Sequence, residues 1–267
     1  MNFEQLVMQL PAQTGRTESA AELTVHHWGS LAEEFAAQGG RELLLAGAEP
    51  LDYPGFWPVV RRGRRAGTPR VTAYLSGSLL EPRVCRELVE SGIHLLVALD
   101  SISPEAHELL HGAGSHGRAM AAIDRFVKDG VGHRIGILAT ASGLNQKDLP
   151  LLGAWAAGRG IARLLWNAVP DGGWPSAQLE TLRLSPEAKT SLYEQMRAVA
   201  RSVNTEFYIG PVDPTDEPTA TPGYSRVIRV RPDGGAFRGF NGEGGYLGSV
   251  KRSRLHELPG NSSLAAG

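Results

Sequence analysis

Short apolar runs alternate with amphipathic stretches along the first 200 residues of the chain. Between the runs, apolar positions recur at helical spacing, and four of these stretches end at a glycine of the kind that closes helices, at Gly39-Gly40, Gly92, Gly130 and Gly160. The alternation predicts six strand–helix units and therefore a parallel sheet with right-handed crossovers. The predicted strands are Leu6–Leu10, Glu42–Ala46, Arg70–Leu75, His94–Leu99, Arg134–Thr140 and Ala162–Asn167.

Six units are too few for the eight-stranded (β/α) barrel. A partial barrel and a doubly wound sheet both remain compatible with the spacing of the strands. A last long helix follows, because Ser185-Pro186 combines a helix N-cap with a proline at the first helical position.

The composition of the sequence and its hydrophobic pattern change after Asn204. The segment 211–222 contains four prolines and is typical of a linker or surface loop. Beyond it, Val227–Val230 and Ala236–Phe240 flank Arg231-Pro232-Asp233-Gly234-Gly235, a pattern that predicts a β-hairpin. We therefore predict two domains, residues 1–204 and residues 205–267.

Composition and charge narrow the class of protein. The 267 residues carry a formal net charge of -1, so no basic excess indicates a nucleic-acid partner. No run approaches the ~18 apolar residues of a membrane span, and the first residues do not resemble a signal peptide. The sequence thus predicts a cytoplasmic protein with no membrane and no nucleic-acid partner.

Polar residues follow most of the predicted strands. Because the carboxyl ends of parallel strands meet at one rim, these side chains are the expected lining of a pocket, although each taken singly is an ordinary loop residue. The candidate ligand-binding or partner-binding residues are Glu49, Ser76, Asp100, Asn145 and Asn167.

The order of these motifs resembles the radical S-adenosylmethionine (radical SAM) superfamily, specifically members with a C-terminal SPASM or twitch extension. The resemblance implies a partial (β/α)6 TIM-like parallel barrel with a small C-terminal hairpin extension. It also implies that Gly47, Ala48, Glu49 and Pro50 occupy the place of a Gly-Gly-Glu-Pro motif that helps hold S-adenosylmethionine. The remaining similarities are Leu75-Ser76-Gly77, Ala98-Leu99-Asp100-Ser101, Pro104-Glu105-Ala106-His107, Asn145, the hairpin 228–234 and Leu247-Gly248-Ser249-Val250.

The chain departs from this family in its cysteines. The family holds a [4Fe–4S] cluster with three cysteines in the loop after the first strand, and here that loop, 11–24, has no cysteine and no histidine. The extension's cluster cysteines are also absent, with Thr221 or Pro222 and Gly239 in the matching places. Cys85 is the single cysteine and is predicted to be a small core residue. These departures predict that the protein binds no cofactor and no metal.

The absence of the cluster cysteines determines which function we expect. We expect a catalytically inactive radical-SAM-like protein that acts as an accessory or peptide-binding protein in the maturation of a ribosomal peptide or another natural product. Its partner would be an active radical SAM homologue or a precursor peptide. The alternative is a repurposed barrel enzyme that performs acid–base chemistry with Glu49 or Asp100.

A second alternative comes from His107-Glu108-Leu109-Leu110-His111, which fits the HExxH pattern of zinc hydrolases. The longer form of that pattern requires a third histidine at position 117, which is Gly117, and His116 lies one place away. The predicted helix is also short. His107 and His111 are therefore a weaker alternative metal site.

Overall fold

We analysed a computed structural model of the chain. It describes residues 3–11, 22–47, 49–77, 79–168, 182–203, 208–211, 226–239 and 245–259. These residues form two compact units, residues 1–75 with 214–267, and residues 76–213. The predicted division at residue 204 stays a prediction.

The first unit combines the start and the end of the chain. Its strands lie side by side in the order β10-β9-β8-β1-β2-β3. The pairs β8–β1, β1–β2 and β2–β3 are parallel, and the hairpin strands β8, β9 and β10 are antiparallel. Its elements are β1 (Gln5–Gln9), α1 (Val25–Ala37), β2 (Glu42–Ala46), α2 (Phe56–Arg65), β3 (Arg70–Leu75), β8 (Val227–Val230), β9 (Gly235–Arg238) and β10 (Tyr246–Ser249), with 3₁₀ turns at Pro50–Asp52 and Leu255–Glu257.

The second unit is an all-parallel sheet in the order β4-β5-β6-β7, with its helices between the strands. Its elements are α3 (Pro82–Ser91), β4 (His94–Ala98), α4 (Pro104–His111), α5 (Ser115–Lys128), β5 (Ile135–Ala141), α6 (Leu149–Gly158), β6 (Arg163–Ala168), α7 (Pro186–Ser202) and β7 (Tyr208–Pro211), with a 3₁₀ turn at Gly132–Arg134.

The observed strands confirm the predicted strand–helix alternation and the C-terminal hairpin. Within each unit the strands β1 to β3 and β4 to β7 follow one another in chain order. Two short strands, β7 and β10, were not predicted. The predicted N-cap of the last helix is present, since Ser185 Oγ accepts a hydrogen bond from Ala188 N.

The two faces of the sheet in the first unit differ in character. One face carries fully buried apolar side chains from β1, β2 and β3: Leu6, Met8, Leu43, Leu45, Val71 and Ala73. Helix α2 approaches this face so closely that a Cβ at Gly63 would lie 2.8 Å from Leu43. This face is the hydrophobic core of the unit.

The opposite face of the same strands mixes polar side chains with the buried apolar residues Val7 and Leu44. Glu42 accepts hydrogen bonds from Thr72 Oγ1 at 2.6 Å and from Gln5 Nε2 at 3.1 Å. Nearer the carboxyl end of β1, Arg229 Nε donates to Gln9 Oε1 at 3.2 Å.

Among the described residues, no helix is both long enough and apolar enough to cross a lipid bilayer.

Gly47 ends β2 in a conformation that only glycine adopts readily. Its φ is +145°, and a Cβ at this position would lie 2.5 Å from the carbonyl oxygen of Leu10. The neighbouring Leu10 N–H donates to Ala46 O at 2.7 Å, which draws the ends of β1 and β2 together. The glycine therefore permits a close approach of two backbones.

We predict that Gly47→Ala destabilises the protein by at least about 2 kcal/mol, because it combines backbone strain with a clash against a carbonyl that cannot move. Urea unfolding measures the change. The matched control is Gly67→Ala, where φ is +86° but no atom lies within 4 Å of the added Cβ. Only the conformational cost of about 1 kcal/mol is expected there, and equal losses in the two variants would contradict this reading.

Candidate functional site

The candidate site is a cluster of buried polar side chains at the carboxyl ends of β4 and β5. Its centre is Asp100, which is 1% exposed and follows directly after β4. The backbone ladder between these strands ends where Leu99 N donates to Leu138 O. The next N–H of β5, that of Thr140, donates instead to Asp100 Oδ1 at 2.7 Å. The carboxylate thus replaces a main-chain acceptor where the strands separate.

Whereas the Asp100 carboxylate accepts from a main-chain N–H, the Asn145 side-chain amide donates to main-chain carbonyl groups. Its Nδ2 donates to the carbonyl oxygens of Asp100 and Thr140, both at 2.8 Å. Its Oδ1 accepts from Ser142 N at 2.8 Å and from Ser142 Oγ at 3.1 Å. Every polar atom of this fully buried side chain has a partner, so Asn145 positions the two strand ends.

A second pair of contacts ties the same loops together. Asp148 Oδ2, at the start of α6, accepts a hydrogen bond from Ser101 Oγ at 2.7 Å and a longer one from Ser103 Oγ at 3.3 Å. The turn after β4 is therefore fixed to the turn after β5 by side chains as well as by the ladder.

Two histidines of α4 lie beside Asp100, and a third histidine, from α5, packs against one of them. His111 Nε2 lies 2.8 Å from Asp100 Oδ2, and His107 Nδ1 lies 3.8 Å from the same oxygen. The rings of His107 and His111 stack with centroids 4.5 Å apart, as expected for side chains one turn apart on a helix. His116, at the start of α5, meets His107 edge to face with centroids 5.8 Å apart.

The hydrogen bonds define the protonation of His107. Its Nδ1 accepts the backbone N–H of Asp100 at 3.1 Å, so the ring proton lies on Nε2. Within the described part of the chain, the buried Nε2 atoms of His107 and His116 have no hydrogen-bond partner. Burial of the His107 ring lowers its pKa from the usual 6.5 to about 4, although the Asp100 carboxylate acts in the opposite direction.

Donor atoms from Asp100, His107 and His111 all lie within 4.8 Å of one another. The HExxH histidines are therefore brought together with a carboxylate that the sequence pattern did not include.

The remaining predicted residues have different outcomes. Glu49 is buried at the end of β2 in the first unit, and Ser76 begins the second unit half-buried. Ala48 and the side chain of Asn167 lie outside the described residues. Asp100 and Asn145 are in direct contact, as expected for one rim, but their hydrogen bonds serve the main chain.

Residues that were not among the predicted site residues also contribute to the cluster, namely Ser101, Ser103, Thr140, Ser142 and Asp148. His116 was set aside because it is one place from the expected position. The helix, however, is interrupted at Gly112–Gly114, and α5 begins at Ser115. Spacing along one continuous helix therefore does not apply to His116.

Comparison with known proteins places this architecture in a family. The sequence model of the Radical SAM superfamily matches residues 11–152, which is more than half of the chain. The chain belongs to the radical SAM superfamily. The predicted family is thereby confirmed.

Solved structures of radical SAM proteins share the fold. Streptococcus suis SuiB bound to S-adenosylmethionine superposes with a TM-score of 0.68 and 13% identity, covering 88% of this chain and 60% of SuiB. The structure of anSMEcpe with bound AdoMet and the Kp18Cys peptide gives a TM-score of 0.67 and 13% identity, covering 96% and 81% of the two chains. These likenesses confirm the predicted partial (β/α)6 barrel fold.

Curated relatives carry the name of an enzyme. GTP 3',8-cyclase of Rhizobium etli is 28% identical over 217 residues, which are 80% of this chain and 57% of that protein. GTP 3',8-cyclase of Caulobacter vibrioides is 28% identical over 218 residues, with the same coverage. The chain spans about 57% of the length of these relatives.

This finding contradicts the expected function. We expected a catalytically inactive accessory or peptide-binding protein, whereas four fifths of the chain aligns with proteins named as a cyclase that acts on GTP. The expectation was wrong because it inferred the role of the whole protein from one missing motif. The acid–base and zinc-hydrolase alternatives to it are not carried forward.

The iron–sulfur cluster of radical SAM proteins does not fit the residues present. A [4Fe–4S] cluster is held by several thiolates, and the sequence contains one cysteine. Cys85 lies in α3, is 2% exposed, and points its thiol at Leu80 O. Burial raises its pKa, which disfavours the thiolate. Cys85 is the small core residue that the sequence predicted.

The low pKa of His107 predicts a pH dependence of stability. Because the folded pKa of about 4 lies below the unfolded value near 6.5, the unfolded chain binds more protons between these values. The contribution of neutral His107 to the free energy of unfolding is complete above pH 6.5. It is lost as the pH falls towards 4, by roughly 3 kcal/mol in total.

Chemical denaturation of chelator-treated protein between pH 4 and pH 7 measures this loss. His107→Gln should flatten the profile, whereas the same change at the exposed His133 should leave it unaltered. A profile of the same slope in His107→Gln would show that another group is responsible.

Proposed function

We propose that the protein uses the radical SAM fold to bind S-adenosylmethionine, and that a purine nucleotide is its second ligand. The observation that carries the proposal is the continuous match of the superfamily model over residues 11–152, which reaches from the end of β1 into α6. The carboxyl ends of strands are where open parallel α/β folds bind their ligands.

The described strand ends support this proposal. In the first unit, the resemblance assigns Gly47 and Glu49 to the segment that holds the methionine part of S-adenosylmethionine, and Glu49 is a carboxylate only 8% exposed at the end of β2. In the second unit, Asp100 and Asn145 fix the loops after β4 and β5 in defined positions. Both features provide the rigid support that a ligand site requires.

The names of similar proteins supply the ligand classes. SuiB and anSMEcpe are described with S-adenosylmethionine bound, and the curated relatives are named for a reaction of GTP. Arg229 of β8, held by Gln9 of β1, offers positive charge to a phosphate-bearing ligand in the first unit.

We further propose that ligand binding takes place without a cluster on this chain's own thiolates, because Cys85 is buried in α3. A protein or peptide partner for this chain stays a prediction.

Calorimetric titration of the purified protein with S-adenosylmethionine tests the proposal. We predict saturable binding at one site per chain, weakened at least about tenfold by Glu49→Gln, because a buried carboxylate that bonds a ligand cation contributes more than 1.4 kcal/mol. The matched control is Glu81→Gln, since Glu81 is exposed before α3.

A parallel titration with GTP distinguishes the two ligands. If only GTP binds saturably, the part of the proposal that concerns S-adenosylmethionine is wrong. If neither compound binds, the whole proposal is wrong. Iron analysis after anaerobic reconstitution tests the statement on the cluster, for which about four iron atoms per chain would be the contradicting result.

A further inference from the structure

The cluster of Asp100, His107 and His111 has the composition of a transition-metal site. Two imidazole nitrogens and one carboxylate oxygen form a donor set that zinc and related divalent ions favour. All three donor atoms lie within 4.8 Å of one another. We propose that these three residues bind a single divalent transition-metal ion of the zinc class.

The distances suit one shared ion. Two ligands that each lie about 2.0 Å from a tetrahedral zinc ion are about 3.3 Å apart. The separations observed here are 2.8 Å between His111 Nε2 and Asp100 Oδ2, and 3.8 Å between His107 Nδ1 and the same oxygen. One pair is shorter and one is longer than the ideal spacing, and the third pair, between the two histidines, lies within 4.8 Å.

The tautomer of His107 is already the one that the site requires. The Asp100 N–H keeps Nδ1 unprotonated and directs its lone pair toward the aspartate. Metal binding through Nδ1 would replace this hydrogen bond by a metal–nitrogen bond, so the Asp100 N–H would need another acceptor, and the ring proton would stay on Nε2. No proton has to leave the buried ring.

The carboxylate is oriented by its surroundings. Asp100 Oδ1 accepts the Thr140 N–H at 2.7 Å, so Oδ2 is the oxygen turned to the histidines. Hydrogen bonds that orient a ligating carboxylate in this way are the usual support of metal sites. Access is also provided, because the His111 side chain is 23% exposed whereas Asp100 is buried.

Two buried ring nitrogens beside the proposed site have no hydrogen-bond partner among the described residues. Within the described part of the chain, the Nε2 atoms of the neighbouring His107 and His116 are buried without a hydrogen-bond partner. We assign no catalytic role to Glu108, and the inference concerns binding of the ion alone.

Titration with Co²⁺ and Zn²⁺ tests the inference directly. The full chain, freed of any histidine tag and of bound metal by a chelator, is titrated with Co²⁺ and followed by its visible absorption, and Zn²⁺ affinity is measured by competition with a chromophoric chelator. We expect one ion per chain and at least a hundredfold loss of affinity in His111→Ala.

His111→Ala is the informative variant because the His111 side chain is 23% exposed, whereas His107 and Asp100 are buried. His133→Ala, an exposed histidine of the same unit, is the matched control and should retain full affinity. A rise in melting temperature with Zn²⁺ that is present in the parent and the control but absent in His111→Ala gives a second readout.

Absence of a stoichiometric site would overturn the inference, and so would unchanged affinity in His111→Ala. Neither readout uses S-adenosylmethionine or a nucleotide, so the outcome is independent of the proposed function.

Discussion

The organisation of the second unit depends on the solvation of one buried carboxylate. Asp100 has lost its contact with water and must be compensated by donors within the protein. The Thr140 N–H supplies one donor from β5, and His111 supplies a polar contact from α4. Since each donor belongs to a different element, satisfying the carboxylate also determines where the strand end, the following turn and the helix lie.

The same constraint explains why a helix as short as α4 is well placed. Eight residues form too few hydrogen bonds for a stable isolated helix. Two of its side chains, His107 and His111, face Asp100, and His107 accepts the Asp100 N–H. The helix is thus held by polar contacts at the strand end, close to where ligands bind in this fold class. A ligand or an ion that changes the Asp100 environment would act directly on the position of α4.

Much of this architecture could be predicted from the sequence, and the exceptions have physical causes. Continuous apolar runs marked β1 to β6 because both faces of a parallel sheet are covered. Strand β7, Tyr208–Pro211, contains a glycine and a proline and has the composition of a loop. Strand β10 pairs with β9 through a register shift beside Gly248, so it lacks a regular alternation. The order of motifs identified the superfamily.

The site was harder to predict than the fold. Asp100 and Asn145 were correctly placed at strand ends, but a sequence does not reveal whether a polar side chain faces a ligand or replaces a main-chain partner. Here the ladder ends at Leu99, and both residues take up the exposed backbone groups. The missing cysteines excluded one way of holding iron, yet they did not determine the role of the whole chain.

A double-mutant cycle between Asp100 and His111 tests the central claim most directly. The free energies of unfolding of the parent, Asp100→Asn, His111→Gln and the double variant are measured in the presence of a chelator, so that metal binding does not contribute. A buried hydrogen bond to a charged group predicts a coupling energy of about 1.5–3 kcal/mol. A coupling energy near zero would show that α4 is positioned without the carboxylate and would contradict the account.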